Sequence, residues 1–190
     1  MLSLRDLIAA KIGVGLLIRF DERGFDYFDA SPAGFWRSFW AAALLFPFWA
    51  FLMFSQPVGL SDHPLRFVTA QILGYGIGWL AYAYLALGVV GFLGHAGRYL
   101  RYIVAYNWFQ LVQGLLWVPV VLLGRSGLLP PGAAAWLWLA CYGVLMFYGW
   151  FIARRGLGFS AGNAALLVMI DFFLGVLVSN VANSIALAGG

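Results

Sequence analysis

The chain has 190 residues, 64% of them hydrophobic and only 9% charged, with 11 Lys and Arg, 7 Asp and Glu and a formal net charge of +4. A soluble domain carries about 45–50% apolar and about 25% charged residues, so this set of ionised side chains is too small for a water-facing surface. The basic residues stand singly or in pairs between apolar runs, which excludes a nucleic-acid-binding patch and fits a protein oriented in a membrane.

Residues 2–20 (LSLRDLIAAKIGVGLLIRF) carry Arg5, Asp6, Lys11 and Arg19 where a cleavable signal needs an apolar core, and no A-x-A-like site follows. At helical spacing Leu4, Leu7, Ile8, Val14 and Ile18 share a side that Lys11 interrupts, predicting an amphipathic helix lying at the membrane interface. Residues 21–29 (DERGFDYFD) interleave acids with aromatics. They read either as a collar on the headgroup surface, rings inserted and carboxylates in water, or as a plain solvated connector. Ser31-Pro32 is an N-cap followed by Pro at the first helical position. Arg37, about two turns further on, is placed to pair with Asp29.

A hydrocarbon core about 30 Å thick needs about 20 apolar residues per helical crossing. Five stretches qualify: 36–54, which Pro47 is expected to kink, 67–93, 103–123, 133–153 and 164–188. The breakers between them are short: Ser55-Gln56-Pro57, Gly94-His95-Ala96-Gly97, Pro130-Pro131-Gly132 and Gly156-Leu157-Gly158. Sequential spans are therefore antiparallel. The predicted fold is an all-α membrane protein, with a cytoplasmic or interfacial segment (1–34) ahead of a five-span domain (35–190).

With the N-terminus in the cytoplasm, Arg5, Lys11, Arg19, Arg23, Arg37, Arg98, Arg101, Arg154 and Arg155 fall inside, and only Arg66 and Arg125 outside. That bias predicts a cytoplasmic N-terminus and an external C-terminus. Trp36, Trp40, Tyr99, Tyr102, Trp136 and Trp150 near the span ends read as interface anchors. Arg98, Arg101, Arg154 and Arg155 are candidate contacts for lipid headgroups.

Asp171 lies within the fifth span, where a carboxylate is costly and needs a partner. Gly175, Ser179 and Asn183 continue its face, and Asn180 and Ser184 widen it. The third span offers Asn107, Gln110, Gly114 and Trp117, flanked by Tyr106 and Gln113. The second offers Gln71, Tyr75, Gly78 and Tyr82, with Gly74 and Gly78 as a small-xxx-small contact. Spans two, three and five are expected to pack with these faces inward, bringing Asp171 within reach of Gln71, Gln110 or Asn107. The cluster Asp171, Ser179, Asn183, Asn107, Gln110, Gln71 and Tyr75 reads as interhelical glue or as the lining of a polar cavity.

His63 and His95 sit on loops expected at opposite faces, so they cannot share a metal. Asp62-His63 is not read as a catalytic dyad, because adjacent residues rarely face each other, and the lone Cys141 reads as a small core residue. The expectation is no catalysis, no cofactor and no bound metal.

The run Phe28-Asp29-Ala30-Ser31-Pro32-Ala33-Gly34-Phe35 leads into a Pro-containing first span, then a Gly/Tyr-rich second span and a third carrying Tyr106-Asn107-Trp108. This plan, over residues 20–185, resembles the bacterial YIP (Ypt-interacting-protein) domain family of small polytopic membrane proteins. The Asp-Leu-Tyr-Gly-Pro element of eukaryotic members is absent, so no trafficking role and no functional residue carries over. The resemblance implies a membrane-embedded interaction protein. The expected function is a scaffold, assembly or accessory protein of the bacterial inner membrane, partnered by lipids, other membrane proteins or itself and not by nucleic acid. The alternative is a small transporter or channel subunit centred on Asp171.

Overall fold

A computed structural model describes residues 2–55, 64–130 and 132–187. Gln56-Pro57, Asp62-His63, Pro131 and the last residue of the fifth predicted span lie outside them. The helices are α1 (Leu4–Ile18), α2 (Pro32–Ser38), α3 (Trp40–Phe54), α4 (Pro64–Phe92), α5 (Tyr99–Arg125), α6 (Ala133–Leu157) and α7 (Ala161–Leu187), with 3-10 turns at Glu22–Tyr27 and Ala96–Arg98. Among the described residues five helical stretches, α2 and α3 counting as one, are long and apolar enough to cross a membrane. The chain is an all-helical, multi-pass membrane protein. At 1.5 Å per residue, α4 is about 44 Å long, enough to cross with tilt.

The spans form a ring in which α3 packs on α5, α5 on α6, α6 on α7 and α7 on α4. The ring closes where the Tyr75 hydroxyl donates to the Ala42 carbonyl at 2.7 Å, joining α4 to α3. Every residue of α5 from Tyr102 to Phe109 is buried. That segment (YIVAYNWF) is apolar on nearly all sides, as a helix enclosed by its neighbours must be. Close approaches use glycine: a methyl on Gly74 would come within 2.9 Å of the Ala182 side chain, and one on Gly114 within 2.4 Å of Leu45.

Span one carries a break at Phe39, between α2 and α3, that was not expected; α3 is helical on both sides of Pro47. The Ser38 hydroxyl donates back to the Phe35 carbonyl at 2.7 Å and accepts from Asn107 Nδ2 at 2.8 Å. A serine that bonds its own preceding turn competes with the helix ladder and bends it. Ser31 caps α2 as expected, accepting from the Gly34 N–H, with Pro32 at the first helical position.

The face of α1 also differs. Ala10, Gly13, Val14 and Leu17 are buried, while Leu4, Ile8 and Ile18 of the expected face are exposed. The small residues are selected because residues 21–29 lie directly on them: a methyl on Gly13 would meet Phe28 Cζ at 2.7 Å, and one on Gly24 would meet the Gly13 carbonyl oxygen at 2.5 Å. Residues 21–29 form a structured collar, but Phe25 and Phe28 are buried in protein, not inserted among headgroups.

The carboxylates of the collar reach the bundle. Glu22 pairs with Arg155 at 3.0 Å and Asp26 with Arg101 at 3.6 Å. Arg37 pairs with Asp29, as the spacing predicts, and reaches Asp6 at 3.5 Å. The N-terminal segment, the start of α5 and the end of α6 therefore share one end of the molecule. At the other end Arg125 donates to the Ser55 hydroxyl at 3.1 Å. Exposed ion pairs contribute roughly 0–1 kcal/mol each, so the hold comes chiefly from Phe25, whose ring lies against Gly156 and under Arg101.

Two outcomes follow from this end of the molecule. Phe25→Ala is expected to cost about 3–5 kcal/mol and to release the collar, so that trypsin cleaves after Arg23 in a folded bundle where the native chain resists. The Ser3 hydroxyl, accepted by the carboxylate, together with the Ser3 N–H and Arg37, holds Asp6 below its ordinary value of 3.8. A lowered carboxylate stabilises the fold above its ordinary value and loses that contribution as pH falls. Hydrogen exchange, corrected for intrinsic pH dependence, is therefore expected to show constant protection of the first turn of α1 from about pH 7 to 5 and loss below about pH 4.

Candidate functional site

Asp171 lies eleven residues into α7, facing α5. Tyr106 of α5 donates its hydroxyl to Asp171 Oδ2 at 2.7 Å. That same hydroxyl accepts from Gln110 Nε2, one helical turn further on, at 2.5 Å. The backbones of α5 and α7 stand apart, and the length of a tyrosine bridges the gap. Tyr82 stacks obliquely on Tyr106, ring centres 4.4 Å apart, and shares a hydroxyl hydrogen bond with Tyr102. Tyr99 donates to the Ala83 carbonyl at 2.8 Å. Tyr99 and Tyr102 are thus buried ties between α5 and α4 and do not anchor the interface as their position near a span end suggested.

A cleft of about 290 Å³ opens beside Asp171, and Gln71, Tyr75, Gln110 and Ser179 line it too. Five of the seven residues grouped on sequence therefore share one cavity: these four and Asp171. The other two are turned elsewhere. Asn183 accepts from Gln71 Nε2 at 2.7 Å, twelve residues beyond Asp171 on α7, and Asn107 faces Ser38 across the α5–α2 contact. Asp171 is out of reach of Gln71, because twelve helical residues span about 18 Å. It is out of reach of Asn107 because adjacent residues point about 100° apart and Tyr106 holds the face toward α7. It meets Gln110 only through Tyr106. Spans two and five pack side by side, span three also touches span two, and it reaches span five through the Tyr106 side chain.

A second, smaller cleft of about 100 Å³, lined by Gln113, Trp117 and Tyr142 among others, also has Asp171 in its wall. The carboxylate therefore stands between two cavities.

In comparisons with protein-family models, curated proteins and solved structures, none matches the chain. The site must be read from its own geometry.

The four arginines read as headgroup contacts all have partners within the chain. Arg101 and Arg155 hold the collar, Arg154 lies 5.0 Å over the Trp150 ring, and Arg98 Nη1 donates to the Leu157 carbonyl at 3.4 Å. His95 joins Arg98 there, with Nδ1 3.0 Å from the same carbonyl and its ring edge-on to Phe159. The two side chains cap the end of α6, where free carbonyls and the helix dipole favour donors and cations. Gly158 completes that end at φ +71°, where a side chain would also collide with Arg98. Among the described residues no three His, Cys, Asp or Glu side chains gather as a metal site.

Sequence reasoning placed Tyr106 only as a flank and passed over Ser38. The signal for the first was Tyr99, Tyr102 and Tyr106 at three- and four-residue spacing, one face of a helix. Ser38 had no such signal.

Tyr106→Phe strips Asp171 and Gln110 of their shared partner at once, whereas Tyr75→Phe frees a single backbone carbonyl. Unfolding in mixed micelles is expected to show Tyr106→Phe costing about 1–3 kcal/mol and Tyr75→Phe about 0.6 kcal/mol. Equal costs would mean that Asp171 does not depend on its tyrosine.

Proposed function

We propose that this chain is a non-enzymatic scaffold or accessory protein of the bacterial inner membrane, built to associate with lipids, with other membrane proteins or with itself. The observation that carries this reading is the pairing of the intramembrane polar side chains with one another. Gln71 is matched to Asn183, Asn107 to Ser38, Asp171 to Tyr106, and Tyr75 to a backbone carbonyl. Polar groups matched across helices act as interhelical ties. Short connections and the bias of basic residues toward the collar end support a cytoplasmic N-terminus and an external C-terminus. Arg101 and Arg155, 40% and 47% exposed beside their carboxylates, retain surface for lipid phosphate at that end. The YIP-like plan of residues 20–185 agrees with a scaffold, and a YIP-like origin is part of this reading.

The second reading, a small transporter or channel subunit, draws on the position of Asp171 between two clefts. The two readings make different demands on ionisation. Asn at this position still accepts from Tyr106 but carries no charge. Asp171→Asn is expected to shift stability by less than about 1 kcal/mol and to leave the oligomeric state unchanged. Loss of a cation or proton flux from proteoliposomes, with assembly intact, would replace the scaffold by the transporter. Native mass spectrometry after extraction in mild detergent is expected to show a defined complex, and a lone monomer there counts against the association.

A further inference from the structure

At the end of the molecule away from the collar, a cleft of about 810 Å³ runs along the outer side of the α4–α7 seam. Its walls are almost wholly apolar: Leu65, Leu73 and Ile77 of α4 face Leu177, Val181 and Ile185 of α7. All six are exposed, and between them they offer no hydrogen-bonding side chain. From Arg66 to Ile77 the cleft follows eleven helical rises, about 16 Å. Half of a hydrocarbon core measures about 15 Å, so the cleft is one leaflet deep.

Arg66 lies in the wall at the mouth of this cleft. It is half-buried, and its Nε is shielded from solvent with no hydrogen-bond partner among the described residues. Arg125, the other cation at this end, is occupied with Ser55 and the Leu52 carbonyl. The described carboxylates lie elsewhere, five in the N-terminal segment at the opposite end and Asp171 beside Tyr106. A guanidinium in an apolar wall needs a complementary anion, and its planar fork suits a phosphate.

We propose that the α4–α7 cleft binds one acyl chain of an anionic phospholipid, with Arg66 holding the headgroup phosphate. Charge and length select this occupant together. A second protein helix would cover the apolar walls but leave the Arg66 Nε unmatched, and a free phosphate would leave the walls empty. In the proposed orientation the lipid belongs to the external leaflet. The inference rests on the lipid half of the proposed association and is separable from the protein half, since a monomer can retain a lipid.

Native mass spectrometry with phosphatidylglycerol or phosphatidylcholine added to the micelles tests it. The native chain is expected to keep one phosphatidylglycerol at activation energies that strip phosphatidylcholine. One basic side chain near a membrane surface is worth about 1 kcal/mol, so Arg66→Gln is expected to lower the retained phosphatidylglycerol roughly fivefold. Val181→Trp places an indole in the cleft from an exposed position and is expected to abolish retention, with thermal unfolding unchanged. Arg125→Gln is expected to do neither. Equal retention of the two lipids by the native chain would overturn the proposal, as would a lipid preference that survives Arg66→Gln. If Arg66→Gln does not fold, lipid retained by Val181→Trp overturns it by itself.

Discussion

Inside a hydrocarbon layer no water is at hand to satisfy a donor or acceptor, so each polar side chain there must be matched by the protein. That constraint decides which helices of this chain meet and at what height. Leucine gains little by leaving lipid for another helix, because lipid tails are as apolar as leucine itself. Apolar contact alone therefore leaves the rotation and register of a membrane helix loosely defined. Here Gln71 and Asn183 fix α4 against α7, Asn107 and Ser38 fix α5 against the break in span one, and Tyr106 ties α5 to α7 across a gap. Glycine supplies the rest, since the approach at Gly74 leaves no room for a side chain.

The collar end obeys different physics, because water competes there for every charge. Asp21, Glu22, Asp26 and Asp29 all find an arginine, yet most of these side chains remain well exposed. Such pairs choose between orientations without contributing much energy. The energy lies in Phe25, Phe28 and the small residues of α1 beneath them. Phe20 belongs to the same device. It occupies the position after α1 at φ 60°, where glycine is usual, and its ring stacks 4.9 Å from Tyr148 of α6. The Asp21 N–H returns to the Leu16 carbonyl and the Phe20 N–H to the Leu17 carbonyl, the paired bonds of a Schellman ending. Aromatic contact offsets the strain that glycine would avoid, and it fastens the end of α1 to the bundle.

What the sequence made legible were averages and local signals. Five apolar runs, the bias of basic residues, the Ser31-Pro32 cap and the Arg37–Asp29 pair each depend on residues close together or on a sum over many. What it hid depends on register between distant segments. α4 and α7 run antiparallel, with Gly74 opposite Ala182 and Gly78 opposite Val178, so each step forward on one is a step back on the other. Gln71 therefore comes within side-chain reach of Asn183, and Asp171 falls within about a turn of Tyr82. The polar stripe on each helix was visible, but not the offset that divides it among different partners. The break at Phe39 was hidden for the same reason, since the Ser38 hydroxyl beside it is held by Asn107, 69 residues further along the chain.

Asp171 shows how one side chain can serve both as a tie and as a wall. Its Oδ2 accepts from Tyr106, and that bond ties α5 to α7. Its Oδ1 has no hydrogen-bond partner among the described residues, and the carboxylate borders a cleft on either side. Tyr106 has no second proton to offer Oδ1, since its one hydroxyl hydrogen goes to Oδ2. An amide would do the tying equally well, at lower desolvation cost than an ionised carboxylate. Asn183 and Asn107 play that part elsewhere in the same bundle. An acid in a wall between two cavities, and amides where a tie alone is needed, make ionisation at Asp171 the physical variable that separates a tie from a path.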